Sequence, residues 1–199
     1  MIQIDLAATL EPVLVSTALV ALAEIGDKTQ LLAIVLAARY RRPWPVILGI
    51  LVATLANHAL AATLGWLVAD WLTGQTFQTL VGLGFLAMAG WALVPDKVDD
   101  GDLPARTGAG VVLATAIAFF IVEIGDKTQV ATSLLAARFH DIALVTLGTT
   151  IGMMLANVPA VLLGEAATRI VPLRYVRIGA AAIFAALGLW VLLAAWLPA

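Results

Sequence analysis

One seven-residue string occurs twice in this chain, Glu24-Ile25-Gly26-Asp27-Lys28-Thr29-Gln30 and Glu123-Ile124-Gly125-Asp126-Lys127-Thr128-Gln129. Each copy sets two carboxylates, an ammonium, a hydroxyl and an amide inside a long apolar run. Charged groups at membrane depth cost about 3 kcal/mol each, and they pair, bind ions or carry protons. At about 100° per residue, a regular helix puts Glu24 and Asp27 on one face about 60° apart, with Lys28 about 40° to the other side of Glu24. Gln30 extends that stripe, and Glu123, Asp126, Lys127 and Gln129 repeat it. Thr29 then points about 140° away from Glu24, so bringing Thr29 or Thr128 to the site requires a distortion near Gly26 or Gly125.

The formal charge of such a site narrows its chemistry. Four carboxylates against two ammonium groups leave two negative charges, which one divalent cation or two protons neutralise. A site that either can satisfy meets the basic requirement for cation/proton exchange. The available ligands are carboxylate, amide and hydroxyl oxygens without sulfur, which favours hard cations such as Ca²⁺, Mn²⁺ or Mg²⁺. Charged lysine does not ligate metal. Lys28 and Lys127 are expected to pair with Asp27 and Asp126 and balance the empty site, which leaves Glu24 and Glu123 as the proton carriers.

The rest of the chain supplies a membrane setting. It has 199 residues, 62% apolar and only 12% charged, with a net charge of −2 and no cysteine; its mean hydropathy is +1.03. That composition indicates an all-α polytopic membrane protein. The lack of cysteine excludes disulfides, thiolate metal sites and a cysteine nucleophile, and the lack of a basic stripe excludes nucleic-acid binding. No Ser/His/Asp pattern or H-E-x-x-H string suggests an enzyme. The first eleven residues hold Asp5 and Glu11 without Lys or Arg, so the first helix is expected to be retained rather than cleaved.

A spanning helix needs about 20 mostly apolar residues, and six segments qualify: 12–38, 44–69, 76–95, 107–137, 142–168 and 173–197. Pro12, Pro45 and Pro172 are placed at or just before helix starts, where a missing N–H is harmless. Short connections make residues 1–199 one membrane domain. Basic residues outside the helices (Arg39, Arg41, Arg42, Lys97, Arg106, Arg169, Arg174, with Arg177 close by) lie after helices 1, 3 and 5, whereas the other side holds Arg138. The expected orientation therefore puts both termini outside the cytoplasm.

The duplication extends beyond the seven residues. Ala37-Ala38-Arg39 matches Ala136-Ala137-Arg138, Leu48-Gly49 matches Leu147-Gly148, and Leu64-Gly65 matches Leu163-Gly164, all at an offset of 99. Ala56-Asn57 matches Ala156-Asn157 at an offset of 100, which implies a one-residue insertion that is later cancelled. The unit is three helices, 12–95 and 107–197, and a second three-helix unit must enter from the opposite side. Two inverted three-helix repeats with polar residues at mid-membrane are a transporter signature, in which one half is expected to rock against the other.

Several features have plainer readings. A buried Glu/Lys pair can simply lock helices together, but two copies with an added Asp and Gln are costly redundancy. Asn57 and Asn157 read as interhelical hydrogen-bond partners or a second shell of the site. His58, matched to Val158, reads as a packed histidine. Gly148-x-x-x-Gly152 is a packing face, Pro159 kinks its helix, and Glu165 with Arg169 is an interfacial pair. The loop with Asp96, Asp99, Asp100 and Asp102 fails the EF-hand pattern at Val98 and Thr107 and reads as a solvated acidic connection.

The doubled Glu-x-Gly-Asp-Lys/Arg-Thr/Ser motif, in two three-helix halves covering nearly the whole chain, resembles a family of cation/proton antiporters. That family includes Golgi Ca²⁺/Mn²⁺ transporters, a chloroplast branch and bacterial manganese exporters, and the compact chain is similar to the bacterial members, which implies a place in the inner membrane of a bacterium. The resemblance implies that Glu24, Asp27, Glu123 and Asp126 coordinate the ion, with Thr29, Gln30, Thr128 and Gln129 lining the site. It also implies export of Mn²⁺, or of Ca²⁺, against protons, with no permanently bound cofactor. Competing expectations are an exporter of small cationic solutes such as basic amino acids, a passive cation channel, and a membrane scaffold.

Overall fold

The computed structural model of the chain describes residues 6–72, 74–94, 110–164 and 173–197. Among them are eight α-helices and no strand: α1 (Leu6–Glu24), α2 (Lys28–Tyr40), α3 (Pro43–Trp71), α4 (Gly74–Ala92), α5 (Val111–Glu123), α6 (Lys127–Phe139), α7 (Ile142–Leu163) and α8 (Leu173–Trp196). The sequence segments 12–38 and 107–137 are each split in two, at Ile25–Asp27 and Ile124–Asp126. Pro12 lies inside α1 instead of at its start, whereas Pro45 lies in the first turn of α3 as expected, with Pro43 opening the helix. Pro172, Glu165, Arg169, Lys97, Arg106 and the acidic loop from Asp96 to Asp102 fall outside the described residues.

By length and composition, three of these helices can cross a membrane alone: α3, α7 and α8. Helices α2, α5 and α6 have 13 residues each, about 20 Å of rise, and fall short of a hydrocarbon core of about 30 Å. The outer surface suits lipid, with Leu48, Leu55, Leu64, Leu113, Leu155, Leu189 and Leu193 exposed. Trp44 and Tyr175 are exposed at the starts of α3 and α8, and Trp71 and Trp196 at their ends. Such paired aromatic girdles mark the two membrane interfaces.

The packing crosses between the two sequence halves. Helix α1 packs along α7, and α5 along α3. A β-carbon on Gly148 would stand 2.6 Å from Val13 O and 2.9 Å from Ser16 Cβ, and one on Gly49 would stand 2.7 Å from Val112 O and 2.6 Å from Thr115 Cβ. These are the same contacts displaced by 99 residues, so the small side chain does the same job twice. Gly152 completes the expected packing face, lying against Thr17 and Ala21 of α1. Helices α4 and α8 pair with each other, with Phe85 and Phe184, also 99 apart, holding ring centroids 6.4 Å from one another.

Two apolar cores result. One joins α1, α6, the C-terminal half of α3 and the start of α7 to the α4–α8 pair, through Leu19, Ala62, Phe85, Leu135, Val145 and Phe184. The other joins α2, α5, the N-terminal half of α3 and the end of α7, through Leu32, Leu36, Ile50, Phe119 and Val161, and no residue of α4 or α8 belongs to it. The two broken helices meet between the cores.

Candidate metal centre

Each break is built by its own seven residues. Gly26 and Gly125 take φ of 80° and 76°, a left-handed conformation that glycine adopts without a Cβ penalty. Asp27 and Asp126 follow in extended conformation as N-caps of α2 and α6, a position that favours Asp. The Asp27 carboxylate accepts from the Thr29 N–H at 3.4 Å. The Gln30 amide oxygen accepts from the Gly26 N–H at 2.8 Å, and that of Gln129 from the Gly125 N–H at 2.6 Å. A single continuous polar stripe is therefore not what forms. The helix distorts at the glycines, the condition under which the threonines reach the glutamates.

They do reach them. Thr29 Oγ1 donates to Glu24 Oε2 at 2.6 Å, and Thr128 Oγ1 to Glu123 Oε2 at 3.1 Å. Longer contacts of 3.3 and 3.5 Å run from the same hydroxyls to Asp27 and Asp126. Both glutamates are fully buried, and Glu24 lies within electrostatic reach of Glu123 and Asp126. Among the described residues, Glu24 Oε1 and Glu123 Oε1 have no hydrogen-bond partner. Buried carboxylate oxygens left this way need a cation or a proton.

Oxygens of Glu24, Asp27 and Asp126 lie within 4.8 Å of one another, close enough to converge on one ion with the 2.0–2.6 Å bonds of Mg²⁺ and Ca²⁺, roughly. Glu123 stands outside this set of three. The donor set is hard oxygen, supplied by both halves of the chain.

The lysines also join the site. Lys28 Nζ reaches across to Asp126 Oδ1 at 3.1 Å, an ion pair between the two halves that the spacing within one string does not foretell. Lys127 Nζ donates to the carbonyl of Val94, past the end of α4, at 2.8 Å.

The glutamines also have another task. With their oxygens holding the breaks, their Nε2 groups cross to the opposite half, Gln30 to Ala156 O at 3.0 Å and Gln129 to Asn57 Oδ1 at 3.5 Å. In this arrangement they brace the site. The same pair of contacts overturns the one-residue insertion: α3 and α7 run uninterrupted, so Asn57 corresponds to Ala156, and His58 to Asn157. Asn57 donates to Phe120 O and is one bond from the site through Gln129. Asn157 instead bonds Met153 within its own helix. His58 is packed, with neither ring nitrogen hydrogen-bonded among the described residues.

A narrow cavity of about 10 Å³ opens beside Asp27, lined by Gly26, Met88, Ala92, Lys127, Arg177 and Phe184. It lies near the end of α4 and the start of α8. The carbonyls of Val94 and Ala156 were not foreseeable, because a backbone oxygen leaves no mark on residue type.

Similar proteins carry the same architecture of sequence. The pattern of the family described as divalent cation/proton antiporter GDT1 matches residues 12–100 and again 111–199. The chain is 52% identical over 171 residues to a Vibrio cholerae protein named "Putative manganese exporter", covering 85% of this chain and 84% of that one. It is 29% identical to a GDT1-like protein of Synechocystis over 74% of this chain and 80% of the other. An Arabidopsis thaliana GDT1-like protein is 26% identical over 89% and 93%. No solved structure matches. With the pattern found in both halves and a relative at this identity, the chain belongs to the GDT1 family of divalent cation/proton antiporters.

Proposed function

We propose that this protein exports a divalent cation, Mn²⁺ above all and otherwise Ca²⁺, from the cytoplasm in exchange for protons. The observation that carries the reading is the pair of fully buried glutamates, each with an oxygen unbonded among the described residues, where oxygens of Glu24, Asp27 and Asp126 converge from both halves. Glu24, Asp27 and Asp126 bind the ion, and Glu123 joins them on a small displacement. When the ion leaves, Glu24 and Glu123 take protons, while Lys28 and Lys127 balance the aspartates. Thr29 and Thr128 aim the glutamates, and Gln30 and Gln129 hold the breaks open. Manganese is favoured by the name of the Vibrio cholerae relative and by the hard-oxygen ligand set.

The membrane arrangement that goes with this function has six crossings: α1 with α2, α3, α4, α5 with α6, α7, and α8. Residues 12–95 and 107–197 form inverted repeats, with both termini outside and the basic loops in the cytoplasm. Because α1 is clasped by α7 and α5 by α3, the moving parts are not the sequence halves. The α4–α8 pair moves against the remaining six helices and exposes the site first to one face and then to the other.

The test is purified protein in proteoliposomes with a pH-sensitive dye inside, challenged in turn with Mn²⁺, Ca²⁺, Mg²⁺ and lysine. A proton signal with Mn²⁺ or Ca²⁺ that vanishes in Glu24→Gln and Glu123→Gln supports the exchange. Metal entry without proton movement makes the protein a channel, a response to lysine makes it a basic-solute exporter, and silence makes it a scaffold.

A further inference from the structure

We propose that the end of the bundle where α6 and α8 finish and α4 starts binds one anionic phospholipid, with its headgroup phosphate on Arg138 and an acyl chain in the groove alongside. This binding needs nothing from the transport reading and goes beyond it. A cavity of about 200 Å³ opens there, with Gly74, Phe77 and Gln78 of α4, Ala137 and Arg138 of α6 and Val191 of α8 among its walls. Arg138 is the charged residue of that lining. Among the described residues its guanidinium has ring contacts only, 4.5 Å from the Trp190 centroid and 5.6 Å from that of Phe139, and no ion-pair partner. Asp141, three residues on, is engaged as the N-cap of α7, where it accepts from the Leu144 N–H at 2.8 Å.

A guanidinium stacked on aromatic faces keeps its N–H edge for an anion, and its fork matches two oxygens of one phosphate. The walls around it are set in advance. Gln75 Nε2 donates to Ala195 O and Trp196 Nε1 to Thr79 Oγ1, both at 3.1 Å, which fixes the start of α4 to the end of α8. Trp71 and Trp196 are exposed at this same end, the depth at which interfacial aromatic side chains meet lipid headgroups.

A second cavity decides between a lipid and a soluble anion. It holds about 250 Å³ between α3, α4 and α6, with Leu64, Val68, Leu72, Leu80, Val130 and Leu134 among its walls. Phe77, Val81 and Ala137 line both cavities, so the apolar groove adjoins the pocket of Arg138. From Ala137 back to Val130 it follows α6 for about two turns, roughly 10 Å. One cation at the interface beside an apolar trough that leads away from it matches a phospholipid, whereas a free phosphate would use the first cavity alone. An anionic headgroup suits Arg138 better than a zwitterionic one, which brings an ammonium of its own. Because the pocket has α4 and α8 on one side and α6 on the other, the bound lipid ties the α4–α8 pair to α6.

The experiment is native mass spectrometry of the purified, delipidated protein in detergent, titrated with phosphatidylglycerol, with phosphatidylethanolamine of the same chains, and with glycerol 1-phosphate. One phosphatidylglycerol should be held about fivefold more tightly than phosphatidylethanolamine, and glycerol 1-phosphate at equal concentration should not displace it. Arg138→Gln should bring phosphatidylglycerol down to the level of phosphatidylethanolamine, whereas Arg138→Lys keeps the charge and should keep most of the preference. Val68→Trp fills the groove away from Arg138 and should weaken both lipids. Equal retention of the two lipids by the unaltered chain overturns the proposal, and displacement by glycerol 1-phosphate overturns it in favour of a soluble-anion site. A preference that survives Arg138→Gln, or retention unchanged in Val68→Trp, puts the lipid elsewhere and overturns it as well. The comparison of lipids on the unaltered chain decides the matter even if the variants fail to fold.

Discussion

Glu24 and Glu123 each end a helix, each take a threonine hydroxyl from five residues on, and each keep one oxygen unbonded. Around them the bonds diverge. The threonine contact is 2.6 Å at Glu24 and 3.1 Å at Glu123, and Glu24 but not Glu123 joins the convergent carboxylates. Identical strings with different partners mean that the asymmetry comes from tertiary packing. By contrast, the helix crossings at Gly49 and Gly148 agree to about a tenth of an ångström in their nearest carbonyl contacts. These two crossings repeat closely at the offset of 99, and the hydrogen bonds of the two glutamates do not.

That contrast can be broken or sharpened by substitution. The largest effect is expected for Glu24→Gln and Glu123→Gln, each of which should reduce Mn²⁺-driven proton movement to background while the protein still elutes as a folded species. Normal exchange in either variant would end the shared-site account. Next, Gly49→Ala and Gly148→Ala should each destabilise the fold by about 1–3 kcal/mol through overpacking against a backbone carbonyl. Thermal unfolding in detergent should give nearly equal shifts, and a large inequality would mean that the frame is not symmetric.

Smaller effects separate the two site halves. Thr29→Val and Thr128→Val each remove the hydrogen bond that aims a glutamate, a change that costs about tenfold or more in metal affinity at comparable sites. Mn²⁺ titration should show the greater loss for Thr29→Val, since its contact is shorter. The smallest effect is expected for Gly125→Ala. The new methyl would meet nothing within 4 Å, so only the left-handed backbone is strained, by about 1–2 kcal/mol. A melting shift far beyond that would point to a role for the glycine other than its conformation.

Much of this was legible from residue types. Segment ends came within a few residues for most helices, because apolar length is a strong signal, and oxygens of Glu24, Asp27 and Asp126 converge from both strings. The breaks were not legible as such: Gly26 and Gly125 permit a distortion without demanding it, and the apolar runs continue on both sides. Lys28 reaching Asp126 depends on how the halves are juxtaposed, which the spacing within one string does not encode. The Asn57–Asn157 match misled because Leu-Ala-Asn recurs at 55–57 and 155–157, one residue out of step with the contacts that Gln30 and Gln129 make.

The clasp of α1 by α7 and of α5 by α3 also bears on how the chain is made. Ribosomes deliver α1 and its acidic break to the membrane long before α7 exists, so the first polar segment waits without the surface that later buries it. Until α5 to α8 arrive, Glu24, Asp27 and Lys28 have no opposite half to meet. Biogenesis thus has an obligatory late step in which the two halves interlock.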